Sequence, residues 1–422
     1  MPRSRIINNS TEVSASVRLC SGVLLVVAVL IALHPISSHD FWWQLSRGRA
    51  VLDGTLAPAG MLLAGEASVE ADWLGGVPVY VLFSFGGAAA LMLLKLLAVC
   101  VVAIDLFFLK SQRQSLCNLA FVLLALLAAR QAWEPTSLFY DTVGVTIIWW
   151  AAESFPTHRY RGRLAFLRLT MLAWANFSPL CVLGIPVALS ALNTEPRSTG
   201  TPLTARQRAG IVAMLAVACC VTPRGPATLW DSIRLVIPTL TTSAAVIQST
   251  PWQPLALTIH NPESVAFVAL SVAALVALVR AKIPVGSLLT FFTTQMLVWS
   301  SQTNLAPAAI WLVLVLLRQL QVSDVAEARQ VDSRYRTTRF EKMLPAMVVM
   351  LIAVAAVHRW PGSMSRCGWG IDPSIGGAAF DESLKGIRTT GTAHCVGIRE
   401  AGLLCWFKPD GARPFDTPRQ SL

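Results

Sequence analysis

Apolar residues run through this chain in long blocks, and charged residues gather in the short segments between them. A helix that crosses a bilayer needs roughly 20 mostly apolar residues. Such blocks begin at residues 19–36 and continue with 87–109, 116–129, 137–155, 164–192 and 210–221. They are followed by 264–279, 285–300, 305–317 and 343–357. The block 164–192 is too long for one crossing. Asn176, Ser178 and Pro179 interrupt it, and proline disrupts a helix interior. The pattern therefore predicts two short helices there, joined by a turn at 174–179. In total it predicts an all-α polytopic membrane protein with about eleven transmembrane helices.

The first block follows Arg3, Arg5 and Arg18, and no small-residue cleavage site comes after it. It reads as a retained signal-anchor helix. Cytoplasmic loops are enriched in Lys and Arg. With the N-terminus inside, the cytoplasmic segments hold nineteen Lys and Arg, against five in the opposite loops before the tail. The asymmetry repeats loop by loop. The predicted organisation is a cytoplasmic N-terminus (1–18), a membrane domain (19–357) and an external C-terminal segment (358–422). An external loop spans 37–86. Within it, residues 40–53 predict a short helix with Phe41, Trp42, Leu45 and Val51 on one side. A Trp pair suits a helix lying at the bilayer surface. A second external stretch, 222–263, is rich in proline, and 402–407 in the tail reads as a strand.

Composition narrows the class further. Of 422 residues, 54% are apolar and 14% charged, and mean hydropathy is +0.58. Soluble domains carry about 25% charged residues, so a soluble enzyme, a disordered chain and a disulfide-rich secreted module are excluded. The net charge of +11 reads as basic cytoplasmic loops, not as nucleic-acid binding. Most of the nine cysteines lie in apolar blocks and read as small hydrophobes. Cys367, Cys395 and Cys405 fall in the tail, where Cys395 and Cys405 could close a hairpin disulfide.

Several polar residues could carry chemistry. Asp40 stands just beyond the first block, beside His39 and the run Phe41-Trp42-Trp43. A carboxylate at that boundary can act as a general base toward a hydroxyl or bind a divalent metal that neutralises a phosphate. It can equally be a helix N-cap. Glu66, Glu70 and Asp72, in the same loop, could supply a second carboxylate or simply be solvated. His39 could titrate near neutrality or be an ordinary loop histidine. Arg130, followed by Gln131, Trp133 and Glu134, suits a phosphate, but snorkelling or pairing with Glu134 fits as well. Arg224 carries the same two readings. Lys95, Asp105 and Asp141 fall within apolar runs, where charges are costly and suggest function. Lys95 and Asp105 are about 15 Å apart along one helix and do not form an obvious pair; Asp141 lies near the start of its run, close to the surface. No C-x-x-C spacing, phosphate-binding glycine loop, dinucleotide fingerprint or nucleophile elbow occurs.

The order of short motifs carries a resemblance. The first loop reads Ser38-His39-Asp40-Phe41-Trp42-Trp43-Gln44-Leu45-Ser46-Arg47-Gly48, then Gly54 to Pro58, then Asp72-Trp73-Leu74. This resembles a loop pattern D-x-D-x-W-W-H-L-x-x-G, G-x-x-P, W-L in a group of polytopic bacterial proteins. Trp174-Ala175-Asn176 resembles that group's W-A-N turn, and Thr222-Pro223-Arg224-Gly225 its N-P-x-G turn. Pro251-Trp252-Gln253-Pro254 and Gly402-Leu403-Leu404-Cys405-Trp406 resemble two later motifs. The group is similar to the GT-C superfamily of membrane glycosyltransferases, which use polyprenyl-phosphate sugars.

The resemblance implies sugar transfer to an envelope glycan, lipid or protein acceptor at the outer face of the bacterial inner membrane. It implies Asp40 as base or metal-binding group (Mg or Mn), supported by Asp72 and Glu70. His39, Trp42, Trp43, Asn176, Arg130 and Arg224 would line the substrate. Ser38 and Gln44 stand where the pattern has Asp and His, which admits a non-catalytic scaffold of envelope assembly. The intramembrane charges admit a lipid or solute transporter, although no internal repeat supports one.

Overall fold

The structure is a computed structural model that describes residues 21–38, 40–54, 73–109, 116–153, 160–193, 203–236, 261–280, 285–330, 371 and 406. Among them regular structure is helical. A single β-bridge joins Ile36 to Ile371 in parallel. The helices are α1 (Ser21–Ala32), α2 (Asp40–Leu52), α3 (Gly76–Ile104), α4 (Leu116–Ala128), α5 (Ser137–Glu153) and α6 (Tyr160–Phe177). They continue with α7 (Gly184–Leu192), α8 (Ala205–Cys219), α9 (Pro226–Val236), α10 (Pro262–Arg280), α11 (Val285–Ser300) and α12 (Leu305–Gln330). The chain divides into two compact units, residues 1–34, 96–131 and 244–367 in the first and 35–95, 132–243 and 368–422 in the second.

In the first unit α4 and α12 are the buried centre. Every residue from Leu119 to Ala129 and from Leu305 to Leu317 is buried. Helix α4 packs on α10 and α12, and α12 on α11. Two side-chain hydrogen bonds tie helices together: Gln295 of α11 donates to Ser271 Oγ of α10 (3.0 Å), and Gln319 of α12 donates to Ser287 Oγ of α11 (2.6 Å). Polar pairs of this kind hold apolar helices together where hydrophobic burial gives little preference. Outward, α11 presents Leu288, Leu289, Phe292, Met296 and Trp299, and α10 presents Val268, Val272, Leu275 and Val276. Their three- and four-residue spacing makes apolar stripes facing out. Water-soluble surfaces rarely carry such contiguous patches.

In the second unit α5 packs on α6 and α7, while α8 packs on α6, α7 and α9. The predicted break inside 164–192 is present. Helix α6 ends at Phe177, Ser178–Leu180 turn, and a short 3-10 turn (Cys181–Leu183) leads into α7. Helix α8 begins five residues before its apolar block, because Thr204 and Gln207 form a reciprocal capping box.

Helix α3 departs from expectation at its start. The predicted external loop ran to residue 86, but α3 begins at Gly76 and kinks at Gly87, where φ is 58° and ψ −150°. Only glycine adopts that conformation readily. The apolar block therefore begins at the kink, and the helical segment before it belongs to the second unit. A π-turn at Asp105–Leu109 ends the helix.

Among the described residues, two stretches are long and apolar enough to cross a membrane, Gly76–Phe107 and Gln302–Leu320. Shorter apolar helices are Ser21–Ala32, Asn118–Ala128, Cys181–Leu192 and Pro262–Val276.

Candidate functional site

The predicted helix after the first block forms as α2, with Asp40 as its first residue. Ser38 prepares the start: its Oγ accepts from the Asp40 amide (3.3 Å), and its carbonyl accepts from the Phe41 amide (3.2 Å). Asp40 is thus the first helical residue and Ser38 the capping one. A carboxylate there also faces the positive end of the helix dipole. Asp40 is half-buried, so it is held by the protein and still open to solvent.

Phe41, Trp42 and residues 44–48 of α2 are buried in the second unit. Phe41, Trp42 and Leu45 join Ile36, Val79, Leu91 and Met92 in one apolar cluster. The expectation of a Trp pair lying at the bilayer surface is corrected for Trp42, which is 5% exposed and packs on Phe41 (5.1 Å) and Trp406 (6.0 Å). Trp43 is half-buried. Trp406 also meets Tyr80 and Phe83 edge-on, and Arg49 lies 4.8 Å over its ring while donating to its carbonyl (3.1 Å). Of the tail segment predicted as a strand, Trp406 alone is described, and its backbone is helical.

Helices α2 and α3 cross at two glycines. A Cβ on Gly48 would stand 2.6 Å from the Gly76 carbonyl carbon and from Tyr80 Cβ. A Cβ on Gly76 would stand 2.7 Å from the Gly48 nitrogen. Gly48 belongs to the loop motif, and its place in the structure is a backbone-to-backbone crossing that admits no side chain.

Sequence reasoning named Glu134 only as a neighbour for Arg130. The structure makes it a central group of the second unit. Glu134 is 3% exposed. Its carboxylate accepts from the Ser37 amide (3.0 Å) and Ser37 Oγ (2.7 Å), and by a short hydrogen bond from the Ser38 amide. Burial pushes its carboxyl above the usual carboxylate range, opposed by the Lys95 charge and the serine donors. The charge of Lys95, 1% exposed, acts on this carboxyl; Asp105 lies in the π-turn that ends α3.

A second polar network sits where α3, α5 and α6 meet. Asn176 Oδ1 accepts from Trp73 Nε1 (2.8 Å), and its Nδ2 donates to the Leu172 carbonyl (2.9 Å) and the Val221 carbonyl (3.1 Å). The Leu74 amide donates to the Asn176 carbonyl (3.1 Å), and Tyr140 OH donates to the Gly75 carbonyl (2.7 Å). Asp141, expected near the surface, is 0% exposed. It accepts from Trp174 Nε1 (2.8 Å) and, in a short bond, from Ser178 Oγ. The first-loop Trp-Leu motif, the W-A-N turn and the approach to Thr222-Pro223-Arg224-Gly225 are thus stitched together.

Arg224 is paired with Asp231 of α9 (2.7 Å). Gly225, at φ 59°, turns the chain into that helix, where Pro226 occupies the favoured first position. Arg130 opens a 3-10 turn after α4 and belongs to the first unit. His39, Glu66, Glu70, Asp72 and the tail cysteines lie outside the described residues. Among the described residues, no three His, Cys, Asp or Glu side chains gather in a way that could hold a metal ion.

No protein-family model matches the chain, and no curated protein or solved structure matches it either.

Proposed function

We propose that this protein is a multi-pass membrane glycosyltransferase with about eleven crossings, its N-terminus cytoplasmic and its tail periplasmic. It moves a sugar from a polyprenyl-phosphate donor to an envelope acceptor at the outer face of the inner membrane. The observation that carries the reading is Asp40, a half-buried carboxylate at the head of a helix locked into a rigid aromatic cluster. The outward apolar stripes of α10 and α11 support a lipid setting. In the reaction the acceptor hydroxyl loses its proton to Asp40 as its oxygen bonds to the anomeric carbon. The bond from that carbon to the phosphate oxygen breaks, and the polyprenyl phosphate leaves with the electron pair. General-base catalysis of this kind contributes about 10²–10⁴-fold. Arg224, of the same unit as Asp40, stabilises the leaving phosphate after giving up Asp231.

A second reading is a non-catalytic membrane scaffold of envelope assembly. It is favoured by Trp42, Asn176 and Arg224, three predicted substrate contacts that are engaged in internal packing, hydrogen bonds and an ion pair. The full chain in liposomes, given radiolabelled undecaprenyl-phosphate glucose, mannose and arabinose in turn with envelope extract as acceptor, separates the two. Transfer by wild type that falls at least a hundredfold in Asp40→Asn supports the enzyme. Equal transfer by both proteins removes Asp40 from the mechanism. No transfer from any donor, with a deletion phenotype rescued by Asp40→Asn, establishes the scaffold.

A further inference from the structure

The lead into α2 is fixed from outside the helix. The Asp40 amide hangs on Ser38 Oγ, the Ser38 amide is bonded to Glu134, and the Ser37 amide and hydroxyl are bonded to the same carboxylate. Glu134 comes from the turn between α4 and α5, nearly a hundred residues away in sequence, and Lys95 of α3 acts on it from a fully buried position. A carboxylate buried this deeply is costly unless a counter-charge and several donors meet it. All of these are present, and they converge on the two residues that lead into α2. We propose that Glu134 is the positioning residue for Asp40, clamping residues 37–38 so that the first turn of α2 and its carboxylate keep one geometry. The functional weight of this clamp rests on the reading of Asp40 as the reacting carboxylate. Its physical existence does not.

The clamp predicts a local response that loss of fold does not. Protected amides exchange with deuterium through local opening. In the full chain in detergent micelles, Glu134→Leu removes both acceptor oxygens at nearly the same volume. Exchange at the amides of residues 37, 38, 40 and 41 should rise about tenfold, the scale of one lost hydrogen bond to a charged group. Amides of α6 and α7 should not change. The double variant Lys95→Met/Glu134→Leu leaves neither ionisable group buried, so its melting temperature should recover relative to either single change. Its fast exchange at 37–41 should nevertheless persist, because the acceptor is still gone. That split distinguishes positioning from bulk stability. Unchanged exchange at 37–41 in the double variant overturns the proposal, as does an increase spread evenly over α6 and α7. If both Glu134 variants fail to fold, Ser37→Ala decides. It removes one donor and buries no charge, so a several-fold rise confined to residues 38–41 upholds the clamp and no rise refutes it. In the sugar-transfer assay, Glu134→Leu should lower kcat for the accepted donor more than it raises KM. Should Asp40→Asn transfer as well as wild type while the exchange result holds, the enzyme reading fails and the clamp stands.

Discussion

Replacing Gly48 with alanine tests the crossing of α2 and α3 directly. The added methyl would sit 2.6 Å from the Gly76 carbonyl carbon and from Tyr80 Cβ. Carbon atoms settle at about 3.5–4.0 Å, so the two helices must part by about 1 Å or the backbone must bend. Overpacking of this kind costs about 1–3 kcal/mol. Alanine returns about 0.5–1 kcal/mol, since glycine is the poorer helix former. The net loss should be about 1–2 kcal/mol, or roughly 2–8 °C in Tm for a unit of this size. Intrinsic tryptophan fluorescence in detergent reads it, because Trp42 and Trp406 lie in the adjoining cluster. Gly76→Ala should cost a similar amount. The double variant should cost less than the sum, because helices already parted leave room for the second methyl. Gly162, Gly210 and Gly286 provide the opposite sign. Each lies in a helix with nothing within 4 Å of a new Cβ, so alanine there should be neutral or slightly stabilising. A Gly48→Ala protein melting with wild type, or indistinguishable from Gly210→Ala, would show that the helices do not cross at Gly48 and Gly76.

Other changes probe the remaining parts. Asp141→Ala orphans Trp174 Nε1 and Ser178 Oγ in a dry interior, and should lower stability by about 2–5 kcal/mol in chemical unfolding. Gly87→Ala forces an L-residue into the kink conformation of α3 and should cost at least about 1 kcal/mol although no atom blocks the methyl. Arg224→Ala breaks an ion pair whose partners are 25% and 24% exposed. Stability should therefore change by less than about 1 kcal/mol, and a large loss of sugar transfer in this variant would assign Arg224 to the phosphate. Arg49→Ala removes the cation over Trp406 and should cost about 0.5–2 kcal/mol, seen as a shift in tryptophan emission.

The elements legible in the sequence were those fixed by local pattern. Among the described residues, which leave out the block 343–357, the apolar blocks became helices, the interruption became a turn at Ser178–Leu180, and residues 40–53 became α2 within a residue of the expected end. What the sequence hid depends on partners far along the chain. Residues 76–86 contain Pro78 and a closing glycine pair, and looked like loop; proline in a first turn is compatible with a helix, and α2 supplies the packing surface. Helix α9 was obscured by its proline-rich surroundings, though Gly225-Pro226 is a legitimate helix start. Trp42 looked interfacial because an amphipathic pattern does not reveal whether its apolar side meets lipid or protein. Glu134 was read as a neighbour of Arg130 because sequence proximity was the only guide, whereas its donors come from residues 37–38.

The fate of the charges in apolar runs bears on the choice of function. Lys95 and Asp141 were grounds for an ion or proton path, since an intramembrane charge with no structural use is best explained by transport. Lys95 now faces Glu134, and Asp141 accepts two hydrogen bonds that fix the end of α6. Both have a use in packing, so neither supports transport. Asp105 differs, being buried in a π-turn, a geometry that often marks functional sites. A transport reading would therefore have to stand on Asp105 and on the first unit. The glycosyltransferase reading stands on Asp40 and the second. Asp105→Asn and Asp40→Asn each disable one and leave the other untouched, so the two variants measured side by side, for solute uptake into liposomes and for sugar transfer, decide which unit carries the activity.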